Sequence, residues 1–349
     1  MYTRLSSPGD KKGAKLSAEE LESISISFDE SLRSPLWCLS PASASLPWLF
    51  SAINVLTTAH SAVRSLIYEL KSDDDDSLLS WYLDNSVKVL EVCNCMSSNI
   101  ERLCLHHLDR SMAMKLLSSE SNPSEEDIRQ ARDLLVASAA EGTGNIEELI
   151  RDLAASIGMS ALREKFLPVD RVVHRAVRAV NFLTAYVAGV ISSALCSTLG
   201  MVVCLPIPEE FPWGDSVRAI QSTIILELRR GEETDRKTRV LIELDDVEAR
   251  GRHVLELINE VVASGGGEEV VGRLREAAAE LEKATKEMLH GLYRLQDGVR
   301  ELFLTVTRIR KEMVDELRAS LWRGPMPKKP PKPNKSHSGM VFWFSKTKK

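Results

Sequence analysis

The 349-residue sequence predicts an all-α protein, an elongated bundle of several helices. Apolar residues recur at helical spacing through long segments, whereas aromatic residues make up only 5% of the chain. Val, Ile and Thr do not gather in the alternating runs that are typical of strands. We place the bundle at residues 25–321, between a disordered N-terminal segment at 1–24 and a basic, Pro/Lys-rich disordered tail at 322–349. The apolar content of 44% is ample for a core.

Two long helices are predicted in the first third of the chain. The first runs from Pro47 to Leu70, because proline suits the first turn of a helix. Its apolar stripe consists of Leu49, Ile53, Leu56, His60, Val63, Ile67 and Leu70. The second runs from Leu78 to Leu117, after a solvated loop in which four adjacent aspartates repel one another. Its stripe consists of Leu83, Val87, Leu90, Cys93 or Asn94, Met96 or Ser97, Ile100 and Leu103.

Five helices are predicted in the middle of the chain, at 125–140, 145–166, 168–204, 214–229 and 237–263. Ser124 precedes acidic residues that complement the positive end of a helix. Pro206 and Pro208 end the third of these helices, since neither can donate a backbone hydrogen bond. The stretch "SGGGEE" predicts a tight connection to the next helix.

The last predicted helix, 268–321, carries a heptad pattern. Twelve positions step alternately by four and three residues, and eleven of them are apolar: Leu274, Ala278, Leu281, Thr285, Met288, Leu292, Leu295, Val299, Leu302, Val306, Ile309 and Met313. This 3.5-residue period predicts knobs-into-holes packing along a partner helix. We favour a partner within the chain, because other amphipathic helices also need one, and keep a second chain as the alternative.

A hydrophobic helix at 179–205 poses the main question of the sequence. No charged residue occurs from Ala179 through Pro208, and this length is sufficient to span a bilayer. Arginines at 171, 175 and 178 precede the run and glutamates at 209 and 210 follow it, so a spanning helix would leave the N-terminal half in the cytosol. Gly189 suits close helix packing in lipid.

Polar residues within the same helix favour a different location. They are Asn181, Thr184, Ser192, Ser193, Ser197 and Thr198. They make membrane insertion marginal, and a helix that is apolar all round equally suits the centre of a bundle. We favour the core helix and retain a single-pass membrane protein, anchored by residues 180–204, as the alternative.

The tail is the only strongly cationic part of the chain. Residues 323–349 hold eight Lys or Arg and no acidic residue, which leaves 37 basic and 50 acidic residues elsewhere. A nucleic-acid partner is therefore not predicted. The lysines, with Phe342, Trp343 and Phe344, suit an anionic membrane surface. A solubilising tail and a ligand for proline-recognition modules are the alternatives.

No catalytic, cofactor or metal residues are predicted. Cys93 and Cys95 point to opposite sides of a helix, so a metal site with Cys104, His106 and His107 is disfavoured. His60 is interpreted as a core histidine because it lies on an apolar stripe. Phosphate-loop, GxSxG and HExxH patterns do not occur. Six scattered cysteines and a polar N-terminus predict a protein of the reducing cytosol.

Two blocks resemble the plant BYPASS family. "LPWLFSAINVLTTAHSAVRSLI" is similar to the first long helix of that family. "SWYLDNSVKVLEVCNCMSSNIERL" resembles its most characteristic motif, through Tyr82-Leu83-Asp84, Ser86-Val87-Lys88 and Val92-Cys93-Asn94. Trp213 after the uncharged helix and "VRELFLTVTRIRKEMVDELR" match the later order of the family. The resemblance covers about residues 25–320, and the basic proline-rich end departs from it.

The resemblance implies a helical, non-enzymatic regulatory or adaptor protein of plants. It implies a role in root and shoot development, through restraint of a root-derived mobile signal. It also implies a protein partner, an exocyst subunit, and hence a link to secretion. The expected location is cytoplasmic and membrane-associated, and the family supplies no catalytic residues to carry over.

Overall fold

The computed structural model describes residues 16–40, 43–70, 77–118, 123–137, 146–159, 168–196, 205, 207, 209, 211–233, 241–265 and 267–322. Through these residues run the α-helices α1 (Ala18–Cys38), α2 (Leu46–Leu70), α3 (Ser77–Leu117), α4 (Glu125–Ala137), α5 (Ile146–Met159), α6 (Pro168–Cys196), α7 (Gly214–Glu233), α8 (Ile242–Ser264) and α9 (Glu268–Trp322). No strand occurs in these segments. The all-α prediction is confirmed.

The predicted boundaries agree best for the long helices. Helices α2, α3 and α9 begin and end within one residue of their predicted limits. The C-terminal parts of the predicted helices at 145–166 and 168–204, and the tail at 323–349, lie outside the described residues. The larger difference concerns the start of the chain.

Helix α1 corrects the predicted N-terminal segment. It begins at Ala18, so the prediction of disorder over 1–24 is wrong from residue 18 onward, while residues 1–15 lie outside the described part. A capping box starts the helix: the Glu20 amide donates to Ser17 Oγ at 3.2 Å, and the Ser17 amide donates to Glu20 Oε2 at 2.8 Å. Leu21, Phe28, Leu32 and Leu36 form its buried side.

Helix α9 is the longest element of the fold. Its 55 residues extend for about 80 Å at the usual helical rise. It packs against α2, α3 and α8, and all twelve heptad positions are buried. The heptad stripe is therefore covered within one chain, as the favoured alternative predicted.

Helix α6 lies at the centre of the bundle. Helices α1, α2, α3 and α5 pack against it. Every residue from Ala179 to Leu195 is buried, so no side of this segment faces solvent. This segment is apolar on all sides, and other helices of the same chain cover it.

Glycines set the closest approach between α2 and α9. A Cβ atom at Gly291 would lie 2.7 Å from Leu46 Cδ1, and one at Gly298 would lie 3.0 Å from the Phe50 ring. The two glycines are one heptad apart and therefore lie on the same face of α9. The absence of side chains at these two positions lets α2 lie close to that face. At the turn between α8 and α9, Gly265 adopts φ 72°, a left-handed conformation that favours glycine.

Candidate functional site

A buried ion pair joins α1, α6 and the start of α7. The Asp29 carboxylate, 3% exposed, accepts from the Arg175 guanidinium and from Trp213 Nε1 at 3.3 Å. Arg175 also donates to Ser25 Oγ at 2.8 Å and lies 5.4 Å from the centre of the Phe211 ring. Burial raises the pKa of Asp29, although Arg175 acts in the opposite direction. Removing one partner would leave a buried charge, so these residues act as a structural link.

The motif with the strongest family resemblance connects three helices. Asn181 Nδ2 of α6 donates to Asn85 Oδ1 at 3.2 Å. Arg310 of α9 donates to the Leu83 carbonyl and to Ser86 Oγ, the latter at 2.9 Å. Within this motif, Asn85 and Ser86 thus join α3 to α6 and to α9.

His60 is placed as predicted, in the core. It is 2% exposed, and its Nε2 lies 3.2 Å from Thr184 Oγ1 of α6. The Thr184 hydroxyl donates to the Val180 carbonyl at 2.8 Å, so it accepts from a neutral His60 that carries its proton on Nε2. Burial lowers the pKa of His60 to about 4. At neutral pH this imidazole is an uncharged core group.

The cysteines of α3 have the character of unreactive thiols. Cys93 is buried, and burial raises its pKa to about 12. Burial also raises the pKa of Cys95 and of Cys104. A thiol with a raised pKa is a poor nucleophile and a poor metal ligand, because the thiolate is the reactive form. In the described segments, no group of three or more His, Cys, Asp or Glu could hold a metal ion.

One helix of the described chain is long and apolar enough to cross a membrane, Pro168–Leu195. Within its most apolar window, 94% of the residues are buried by the rest of the protein. A helix enclosed in this way has no surface left for lipid unless the bundle opens. The enclosure agrees with the core interpretation of the hydrophobic segment.

Among the described residues, α1 and α3 each carry exposed apolar residues on one face, and the sequence reasoning missed both faces. The outer face of α1 carries Ile26 and Trp37, which are 54% and 69% exposed. The exposed apolar face of α3 consists of Leu105, Leu108 and Met112, which we call the α3 stripe. The capping box at Ser17 was a readable signal for α1. The α3 stripe had no such signal, because apolar residues occur on several sides of that helix.

These features define a class: an all-helical protein with buried polar links between its helices and exposed apolar residues on α1 and α3. Residues 176–317, from α6 through most of α9, match the family model described as Protein ROH1-like. The chain carries a ROH1-like region and is related to the BYPASS and ROH1 proteins of plants. This finding confirms the resemblance predicted from the sequence.

Three relatives illustrate the relationship. UPF0496 protein 4 of Oryza sativa subsp. japonica is 29% identical over 259 residues, which cover 70% of this chain and 56% of that protein. Protein BPS1, chloroplastic, of Arabidopsis thaliana is 27% identical over 246 residues, 68% of this chain and 69% of BPS1. Protein ROH1D of Arabidopsis thaliana is 22% identical over 361 residues, 85% of this chain and 89% of ROH1D. The chain thus spans just over half of the rice relative. No solved structure matches the chain.

Proposed function

We propose that this chain is a non-enzymatic adaptor that acts in plant development through protein–protein contacts. The observation that carries the proposal is the buried position of titratable side chains that could otherwise serve in catalysis. His60, Cys93 and Asp29 are buried, and the hydrogen bonds of His60 and Asp29 join helices to one another. What remains for recognition is the outer surface of the helices.

The relationship to BPS1 and ROH1D supports a developmental role. On this proposal the protein acts in root and shoot development by restraining a root-derived mobile signal. Binding of an exocyst subunit links the same role to polarised secretion. These contacts require no cofactor, no metal and no nucleic acid.

The outer face of α1 is the surface we assign to the protein partner. Ile26, Glu30, Arg33 and Trp37 follow one another at spacings of four, three and four residues, and all are exposed. Glu30 and Arg33 form an ion pair at 3.1 Å between the two apolar residues. Tryptophan is among the residues that most often dominate binding energy at protein interfaces.

The experiment is affinity capture of exocyst subunits from plant extract by the full chain, followed by pull-down with the purified subunit. Trp37→Ala is expected to weaken capture about tenfold, the effect of losing a central interface residue. Leu226→Ala, which changes an exposed apolar residue on α7, is the matched control and retains binding. An extract that yields no exocyst subunit with the unchanged chain contradicts this partner.

Membrane association through the tail at 323–349 is part of the same proposal. We expect carbonate extraction to release the protein from plant membranes, because α6 is enclosed by α1, α2, α3 and α5. The single-pass alternative, anchored by residues 180–204, predicts retention in the pellet. It also predicts protease protection of everything beyond residue 210 in sealed microsomes.

A further inference from the structure

The α3 stripe is a continuous apolar surface that the other described residues leave uncovered. Leu105, Leu108 and Met112 are 59%, 45% and 59% exposed. Their spacing of three and four residues places them side by side on one face of the helix. Helices α4, α5, α6 and α9 pack against other faces of α3. Contiguous exposed apolar residues of this kind mark contact sites more often than single ones do.

Charges at the two ends of the stripe give it a direction. Glu101 lies seven residues before Leu108 and Lys115 lies seven residues after it, and both are exposed. Seven residues correspond to almost two turns, so both charges share the face of the stripe. The stripe is therefore nearly symmetric about Leu108 in its apolar residues and opposite in charge at its ends.

A second copy of this chain fits such a surface in one orientation. In an antiparallel pair centred on Leu108, Leu105 of each copy faces Met112 of the other. Glu101 of each copy then comes within reach of Lys115 of the other, on both sides of the two-fold axis. A parallel pair would bring Glu101 against Glu101 and Lys115 against Lys115, which is unfavourable.

We propose that the α3 stripe is a homodimer interface in which two copies of α3 pack antiparallel about a two-fold axis. Such an interface is isologous, since the same surface serves both copies. Three apolar side chains and one charge pair repeated twice make a small contact, so the dimer is reversible, with a dissociation constant on the order of micromolar.

The first test is analytical ultracentrifugation of the full chain over a range of micromolar concentrations. We expect a monomer–dimer equilibrium, and Leu108→Lys is expected to raise the dissociation constant about tenfold or more, because it places two like charges at the centre of the interface. Leu226→Lys changes a leucine of α7 that is also about half exposed, and this control leaves the equilibrium unchanged. Circular dichroism verifies that both variants remain folded.

The second test reads the orientation of the pair. Glu101→Lys alone and Lys115→Glu alone each place like charges together and weaken self-association. The double variant Glu101→Lys/Lys115→Glu restores it, because the opposite charges have exchanged places. An equimolar mixture of the two single variants forms a mixed dimer more readily than either forms its own.

Three results would each overturn the proposal. A chain that stays monomeric throughout the concentration range shows that the stripe does not bind a second copy. Dimerisation that Leu108→Lys leaves intact places the interface elsewhere. Loss of dimer in both single variants without recovery in the mixture overturns the antiparallel arrangement. None of these results affects capture of an exocyst subunit through α1, so the two proposals are tested separately.

Discussion

Helices α6 and α9 are both buried along much of their length, but they are buried in different ways. Helix α9 has one apolar stripe with a strict heptad period and charged residues on its other sides. Helix α6 has no exposed side between Ala179 and Leu195. An apolar stripe predicts which side of a helix is buried, whereas a helix that is apolar on all sides gives no such prediction. The orientation of α6 is instead marked by single polar residues, Asn181 toward α3 and Thr184 toward α2.

Glycine has opposite meanings in the two helices. The sequence suggested that Gly189 of α6 permits close helix packing, yet a Cβ atom there would meet nothing within 4 Å. The close contact is in α9, where Gly291 and Gly298 approach α2. A glycine in a buried helix is therefore not by itself a sign of close approach.

The largest expected effect compares one substitution in both helices. Ala188→Asp places a carboxyl group at a fully buried position of α6, within a segment that has no charged residue. We expect the free energy of unfolding to fall by about 3–5 kcal/mol, the cost of an uncompensated buried charge. Urea denaturation followed by circular dichroism measures this change.

The matched variant is Ala279→Asp on the exposed side of α9. Its expected cost is about 0.5 kcal/mol, from helix propensity alone. If both variants proved equally stable, α6 would not be enclosed by the chain, and the comparison between the two helices would fail.

The second expected effect concerns acid. The pKa of His60 is lowered from 6.5 to about 4 in the folded state, so the unfolded chain binds this proton first. The associated stability is complete above pH 6.5 and is lost progressively as the pH falls to about 4, for a total of about 3 kcal/mol. The heptad stripe of α9 has no titratable side chain, so this contribution arises at α6 and α2.

The measurement is the free energy of unfolding between pH 7 and pH 4, for the unchanged chain and for His60→Gln. The difference between the two curves isolates His60. This subtraction is needed because the raised pKa of Asp29 changes stability with pH in the opposite direction. Parallel curves would show that His60 is not buried as a neutral group.

The smallest expected effect distinguishes the two kinds of glycine. Gly189→Ala is expected to stabilise the protein by about 1 kcal/mol, because alanine favours the helix and its methyl group has room. Gly291→Ala is expected to destabilise it by about 1 kcal/mol, since overpacking against Leu46 exceeds the gain in helix propensity. Thermal unfolding of the two variants gives the signs, and equal signs would contradict the close approach of α2 and α9.

Much of this fold follows from local patterns. The period of α9 predicted its limits and its buried positions, because a heptad repeat fixes one face over many turns. Polar loops and proline positions predicted most helix ends. Helix α1 was missed because serines and charged residues stand between its apolar residues and because Pro35 lies within it, so the capping box was its clearest signal.

The site was less predictable, because its contacts join distant parts of the chain. His60 and Thr184 are 124 positions apart, and Asn85 and Asn181 are 96 apart. Nothing in a single helical pattern specifies such pairs. Likewise, Val87 was predicted to lie on the buried side of α3 and yet is 39% exposed. Which side of α3 is covered depends on where the other helices of the bundle lie.

The packing of α9 on α2 has a consequence for biosynthesis. Arg64 and Glu312, which form an ion pair between these helices, are separated by 248 positions. At the usual rate of synthesis, about 5–20 residues per second, the partner residues on α9 are made on the order of ten to fifty seconds after those on α2. During that interval α9 does not yet cover the face of α2, which is rich in Leu, Ile and Val. We expect chaperones that bind exposed apolar segments to shield this face until α9 has been synthesised.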